Sequence, residues 1–204
     1  MKINHRYFFV IIIVLAAVLR LYNLDKVPPG VNRDEASIGY TAYSLMHTAK
    51  DEYGKFLPIS FESFGDWKLP LYIYTTIPFV KIFGLSELAV RLPSAIAGVM
   101  SVVAIYYLAK LLFTSETLAL LASLVLAIMP WHIHISRVES EAITAVLFTI
   151  LGSICYLLAI KKKSLMPLIL SAIIFSLTYY TYHGNHVFTS LLLFGLYFSI
   201  DRIW

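Results

Sequence analysis

The chain alternates long apolar runs with short polar breaks, with one exception near its start. Runs close to the length of a membrane-spanning helix, about 20 mostly apolar residues, fall at 7–22, 92–113, 118–135, 142–160, 165–182 and 187–200. A seventh apolar run, 69–83, is short, rich in tyrosine and interrupted by Pro78 and Lys81. Charge decides its placement, because the cytoplasmic ends of spans collect Lys and Arg. If 69–83 does not cross, then Lys2, Arg6, Lys110, Lys161, Lys162, Lys163 and Arg202 share one side. If it does cross, the triple lysine is exported and the pattern scrambles. The expectation is therefore six spans and a cytoplasmic N-terminus. The run 69–83 would lie along the outer surface, with Trp67, Tyr72 and Tyr74 at the interface. Residues 23–90 then form one long extracytoplasmic loop.

Composition agrees. Of 204 residues, 59% are hydrophobic and 14% are charged, against about 25% charged in soluble domains. Mean hydropathy is +0.78. A chain this short cannot hide that much apolar surface in a water-soluble core. The fold class expected is an all-α, polytopic membrane helical bundle forming a single membrane domain, multi-pass in the cell (plasma or inner) membrane. The net charge of +4 is spread over helix ends, which fits orientation in a bilayer and argues against a nucleic-acid partner. Residues 1–22 start basic, yet no small-x-small cleavage site follows, so they read as an uncleaved first span. Cys155, the single cysteine, sits in an apolar run and reads as a packing residue.

The polar residues that stand out face one side. After the turn at Pro28, Pro29 and Gly30, Asn32 can cap a helix starting near Arg33, with Asp34 and Glu35 in its first turn. Ala36, Tyr40, Tyr43 and His47 recur at helical spacing, giving an amphipathic helix to about Ala49. Asp34 and Glu35 serve either as capping charges or as a general base at the membrane surface. Lys68 either snorkels to headgroups or holds a lipid phosphate. Arg91 and Arg137 stand at outer span edges, as interface anchors or phosphate partners. His132, His134, Glu139 and Glu141 form a weak metal-like spacing; no cofactor is assigned on it. His183, in the last outer turn, can line the same cavity.

Several of these residues occur in a telling order. Arg20-Leu21-Tyr22 is followed by Asp34-Glu35, then Lys68-Leu69-Pro70-Leu71-Tyr72. Next comes the stretch from Phe83-Gly84-Leu85 to Arg91-Leu92-Pro93-Ser94, and last Pro130-Trp131 and Ser136-Arg137. The order resembles the N-terminal half of GT-C glycosyltransferases of the protein O-mannosyltransferase and lipid A aminoarabinose transferase type. The resemblance implies an inverting enzyme that moves a sugar from a polyprenyl-phosphate carrier to an extracytoplasmic acceptor, which is a protein, lipid or glycan. It implies Asp34 as catalytic aspartate, with Glu35 as its acidic neighbour. Lys68 and Tyr72 fall in the donor-phosphate segment, where this chain has Leu69 in place of a proline. Glu139 or Glu141 takes a second acidic position. Relatives are longer, so the chain is expected to be an N-terminal part of a larger product. Two other readings remain at this point, a transporter and a non-catalytic lipid-binding or assembly subunit.

Overall fold

The computed structural model describes residues 5–200, with side chains to 198; Lys2 and Arg202 of the charge argument lie outside the described residues. The fold is an all-α bundle with one small hairpin. The elements are α1 (His5–Leu21), α2 (Arg33–Thr48), β1 (Phe61–Ser63), β2 (Asp66–Lys68), α3 (Pro70–Phe83) and α4 (Glu87–Phe113). They continue with α5 (Glu116–Ile128), α6 (Pro130–Ser136), α7 (Glu141–Lys162), α8 (Leu165–Tyr179) and α9 (Gly184–Ile200). By length and composition α4 and α7 can each cross a membrane. The pair α5–α6, bent by 59° at its break, makes a third span if counted as one.

The packing is that of a protein in lipid. Large apolar side chains point outward, among them Phe8, Ile11, Val14 and Val18 on α1 and Phe188, Leu191 and Phe194 on α9. Small and hydroxyl residues are buried between helices: Ser94, Ala97 and Ser101 on α4, Ser123 on α5 and Ser171 on α8. Water would drive the reverse arrangement, whereas in lipid helices associate through close packing of small residues and short hydrogen bonds. The hydroxyls are satisfied locally, as where Ser171 Oγ donates to the Gly152 carbonyl at 2.8 Å and Ser123 Oγ to that of Val102 at 2.8 Å.

Several helices depart from the expected boundaries. Helix α4 begins at Glu87 rather than 92, because Ser86 accepts from the Ala89 N–H and caps it there. The run at 118–135 is broken: Pro130 has no N–H to offer the Leu126 carbonyl, so α5 stops and α6 sets off at an angle. Helix α8 ends at Tyr179. The break is sealed from outside the helix. Arg20, with 0% exposure, donates from Nη2 to the Leu126 carbonyl at 3.0 Å and from Nη1 to that of Ala127 at 3.0 Å. It also meets His132 Nδ1 at 2.8 Å.

The loop 23–90 folds into α2, the hairpin and α3, packed on the first turns of α4. Ile38, Ala42, Leu45, Phe61, Tyr72, Ile73, Val80, Ala89 and Val90 form one core there. Each fully buried aliphatic side chain contributes about 1.5–3 kcal/mol. Gly39 lets α2 approach α4, since a Cβ on it would stand 2.8 Å from Val90 Cγ2. The face carrying Ala36, Tyr40, Tyr43 and His47 is the exposed one, with the rings of Tyr43 and His47 4.5 Å apart.

Candidate active site

Residues Asp34 and Glu35 begin α2. Asn32 Oδ1 accepts from the Glu35 N–H at 2.8 Å, and Glu35 Oε2 accepts from the Asn32 N–H at 3.0 Å, a reciprocal capping box. The box fixes the first turn, and the turn sends the two carboxylates in different directions.

Glu35 points inward and is 2% exposed. It accepts from Arg91 Nε at 2.6 Å and Nη2 at 3.0 Å, and from the Glu139 N–H at 3.3 Å. Burial works to raise its pKa. The hydrogen bonds from Arg91 and the main chain outweigh that and hold the carboxyl below its ordinary range. Arg91, itself 0% exposed, spends its other donors on the carbonyls of Leu24, Pro28 and Gly30. The pair therefore ties α2, α4, the Pro28–Gly30 turn and the start of α7 together.

Asp34 points outward. Its Oδ1 accepts from Lys68 Nζ at 2.7 Å, with the aspartate side chain 58% exposed and the lysine 14%. Lys68 is delivered by the hairpin, in which Phe61 pairs with Lys68, Glu62 with Trp67 and Ser63 with Asp66. Its two-residue turn, Phe64-Gly65, has positive φ at both positions, the geometry that fits the twist of a tight hairpin. The hairpin is fastened to α2 beside Asp34. Ser37 Oγ and Ser63 Oγ lie 2.7 Å apart, Arg33 donates to the Phe64 carbonyl at 3.2 Å, and its guanidinium lies 4.4 Å from the centre of the Phe64 ring.

Glu139 and Glu141 flank the start of α7 beside this pair. Burial, then the Glu141 carboxylate, push the Glu139 carboxyl up to about 8; Lys68 pulls the other way, and Asp34 and Glu35 add to the rise. Glu141 Oε1 is buried without a hydrogen-bond partner. His183 Nε2 lies 2.8 Å from the Trp67 carbonyl, and the Tyr180 carbonyl accepts from the Leu71 N–H at 3.1 Å. The α8–α9 turn thus braces the segment that carries Lys68.

Three of the expected substrate-binding side chains are otherwise engaged. Tyr72 is fully buried, its hydroxyl donating to the Val90 carbonyl at 2.9 Å. Arg137, expected beside a phosphate, donates to the carbonyls of Leu19, Tyr22, Asn23 and Val27 at 2.8–3.3 Å. It caps the end of α1, whose last carbonyls have no helical partner. Arg91 is likewise held under Glu35. His132 is buried on Arg20 while His134 is exposed, so the two histidines do not face one centre. Among the described residues no three His, Cys, Asp or Glu side chains are arranged to hold a metal ion, and the residues present do not fit one. Sequence reasoning missed the hairpin and the Arg20–His132 contact; Gly65-Asp66 between Phe64 and Trp67 was the available signal for the former.

Residues 10–202 match the family model for dolichyl-phosphate-mannose-protein mannosyltransferase. The chain is 29% identical over 163 residues to "Putative mannosyltransferase YycA" of Bacillus subtilis (strain 168). It is 31% identical over 163 residues to "Putative mannosyltransferase YkcB" of the same organism. Each match takes in 78% of this chain and about a fifth of the relative, 22% and 21% respectively.

Proposed function

The chain belongs to the dolichyl-phosphate-mannose-protein mannosyltransferase family, and from that premise we propose that it forms the donor and base region of a membrane glycosyltransferase using a polyprenyl-phosphate-linked sugar. The observation that carries the reading is the Asp34–Lys68 pair: an accessible carboxylate and a cation, set by a capped helix and a fastened hairpin. The donor phosphate takes the place of Asp34 on Lys68, and the freed carboxylate receives the acceptor. The acceptor hydroxyl attacks the anomeric carbon opposite the phosphate, the carbon–oxygen bond to phosphate breaks, and Asp34 takes the hydroxyl proton. Polyprenyl phosphate leaves with one more negative charge than it had in the diester, and Lys68 offsets that charge as it develops. Attack from the far face inverts the anomeric centre. Glu139 is largely protonated at neutral pH, so it adds little repulsion toward the phosphate. Glu35 and Arg91 act as positioning residues beneath Asp34.

In this reading six spans cross the cell membrane and the pair lies on the extracytoplasmic side. Helix α4 carries Arg91 near its start and Lys110 near its end, about 28 Å apart at 1.5 Å per residue. The site and the lysine-bearing turns thus occupy opposite ends of the bundle. Membranes holding the intact gene product should transfer labelled mannose from polyprenyl-phosphate mannose, with the product anomer opposite to the donor's by NMR. Transfer from a sugar nucleotide with no lipid-linked intermediate would remove the basis for this reading.

A further inference from the structure

At the far end from Asp34 a groove of about 390 Å³ opens between α4 and α7. Tyr107, Leu111, Ile154 and Leu158 form its walls, and Lys110 and Lys161 stand at its rim. The two lysines are not equivalent. Lys110 is paired with Glu116, which also accepts from the Tyr106 hydroxyl at 2.5 Å. Lys161 is exposed and has no ion-pair partner among the described residues. It lies in the last turn of α7, beside Lys162 and the capping residue Lys163.

We propose that this groove is a binding site for an anionic phospholipid of the leaflet at the lysine-bearing end. Apolar walls below a cation are complementary to an acyl chain below a phosphate, and basic pockets between spanning helices recognise acidic headgroups in this way. Lys161 meets the headgroup. Lys110, fixed by Glu116, supplies a second N–H donor while its charge is balanced. The chain lies along Ile154, Leu158 and Leu111, on two helices long and apolar enough to cross a bilayer. The site is separate from Asp34 and Lys68, so its occupancy does not depend on the transfer reaction. Lipid held here clamps α4 to α7, whose other ends carry Arg91 and Glu141.

The test is native mass spectrometry of the purified protein in mild detergent with dioleoylphosphatidylglycerol or dioleoylphosphatidylcholine at matched concentration. The wild-type protein should retain the anionic lipid preferentially. Lys161→Gln should lower that retention about fivefold, the effect of about one lysine near an anionic surface, and leave the zwitterionic lipid unchanged. Lys162→Gln, outside the groove lining, should behave as wild type, and Ile154→Ser should weaken both lipids. Equal retention of the two lipids by wild type, or anionic retention untouched by Lys161→Gln, overturns the proposal. So does full displacement by glycerol phosphate, which shows that headgroup charge alone is bound. Circular dichroism on each variant separates loss of lipid from loss of fold: a Lys161→Gln protein that is fully helical and keeps its anionic lipid counts against the site.

Discussion

Asp34 and Glu35 are adjacent carboxylates with opposite fates, because successive residues of a helix point about 100° apart. Glu35 is buried against a buried guanidinium, so Glu35→Ala strips Arg91 of its close carboxylate and leaves it only Glu87 at 3.8 Å, at a cost toward the lower end of about 3–5 kcal/mol. Asp34→Asn breaks a pair that is half in solvent, worth about 0–1 kcal/mol. Thermal unfolding in detergent should therefore show a large loss for the first and almost none for the second, although both should lose activity. Glu139 supplies a pH test. Its folded pKa of about 8 lies above that of an exposed glutamate, so the native state binds the extra proton. Its contribution is fully present below the unfolded pKa and is lost as pH rises through the folded one. Glu139→Gln should accordingly raise the melting temperature relative to wild type at about pH 9 and change it little at about pH 4. A uniform shift at both pH values would deny the burial of that carboxyl.

Among the elements, the capped start of α2 and a helix within the run 69–83 were readable, because Asn32, the paired acids and Pro70 are local signals. The hairpin was not. Its strands have three residues each, too few to show alternation, and they are specified by contacts with α2 thirty residues away. The break between α5 and α6 was half readable: Pro130 marks it, but Arg20, which supplies the missing donors, comes from a helix more than a hundred positions earlier. That pairing predicts a coupling. Arg20→Met leaves two carbonyls without donors, at about 1–3 kcal/mol each. Pro130→Ala returns an N–H to the Leu126 carbonyl, so Arg20→Met should cost less in that background. Equal costs in a double-mutant cycle of unfolding free energies would show that the guanidinium does not seal the break. Gly98 tests the same region from α4, since a Cβ there would stand 2.8 Å from Ser136 Cβ. Gly98→Ala should destabilise by about 1–3 kcal/mol.

For the whole molecule, charge and hydropathy separated a polar end from a lysine end, and the structure has the same division along α4 and α7. The sequence could not say which polar residues meet. Arg91 and Arg137, alike at span edges, are used by main-chain carbonyls and Glu35, whereas Lys68 stands against the exposed carboxylate of Asp34. Those choices depend on how the loop folds back over α4, which no local pattern encodes. The proposed orientation is checked by single-cysteine labelling in a Cys155→Ser background: Gly184→Cys should react with an impermeant reagent from outside, and Lys162→Cys only after the membrane is opened. The central claim is that Asp34 is the base and Lys68 the donor anchor. The most direct measurement follows turnover and donor binding together, using labelled polyprenyl-phosphate mannose and the intact gene product. Asp34→Asn should lower turnover by about 10²–10⁴-fold with donor binding retained, and Lys68→Met should weaken donor binding. An Asp34→Asn protein that turns over at the wild-type rate contradicts the account.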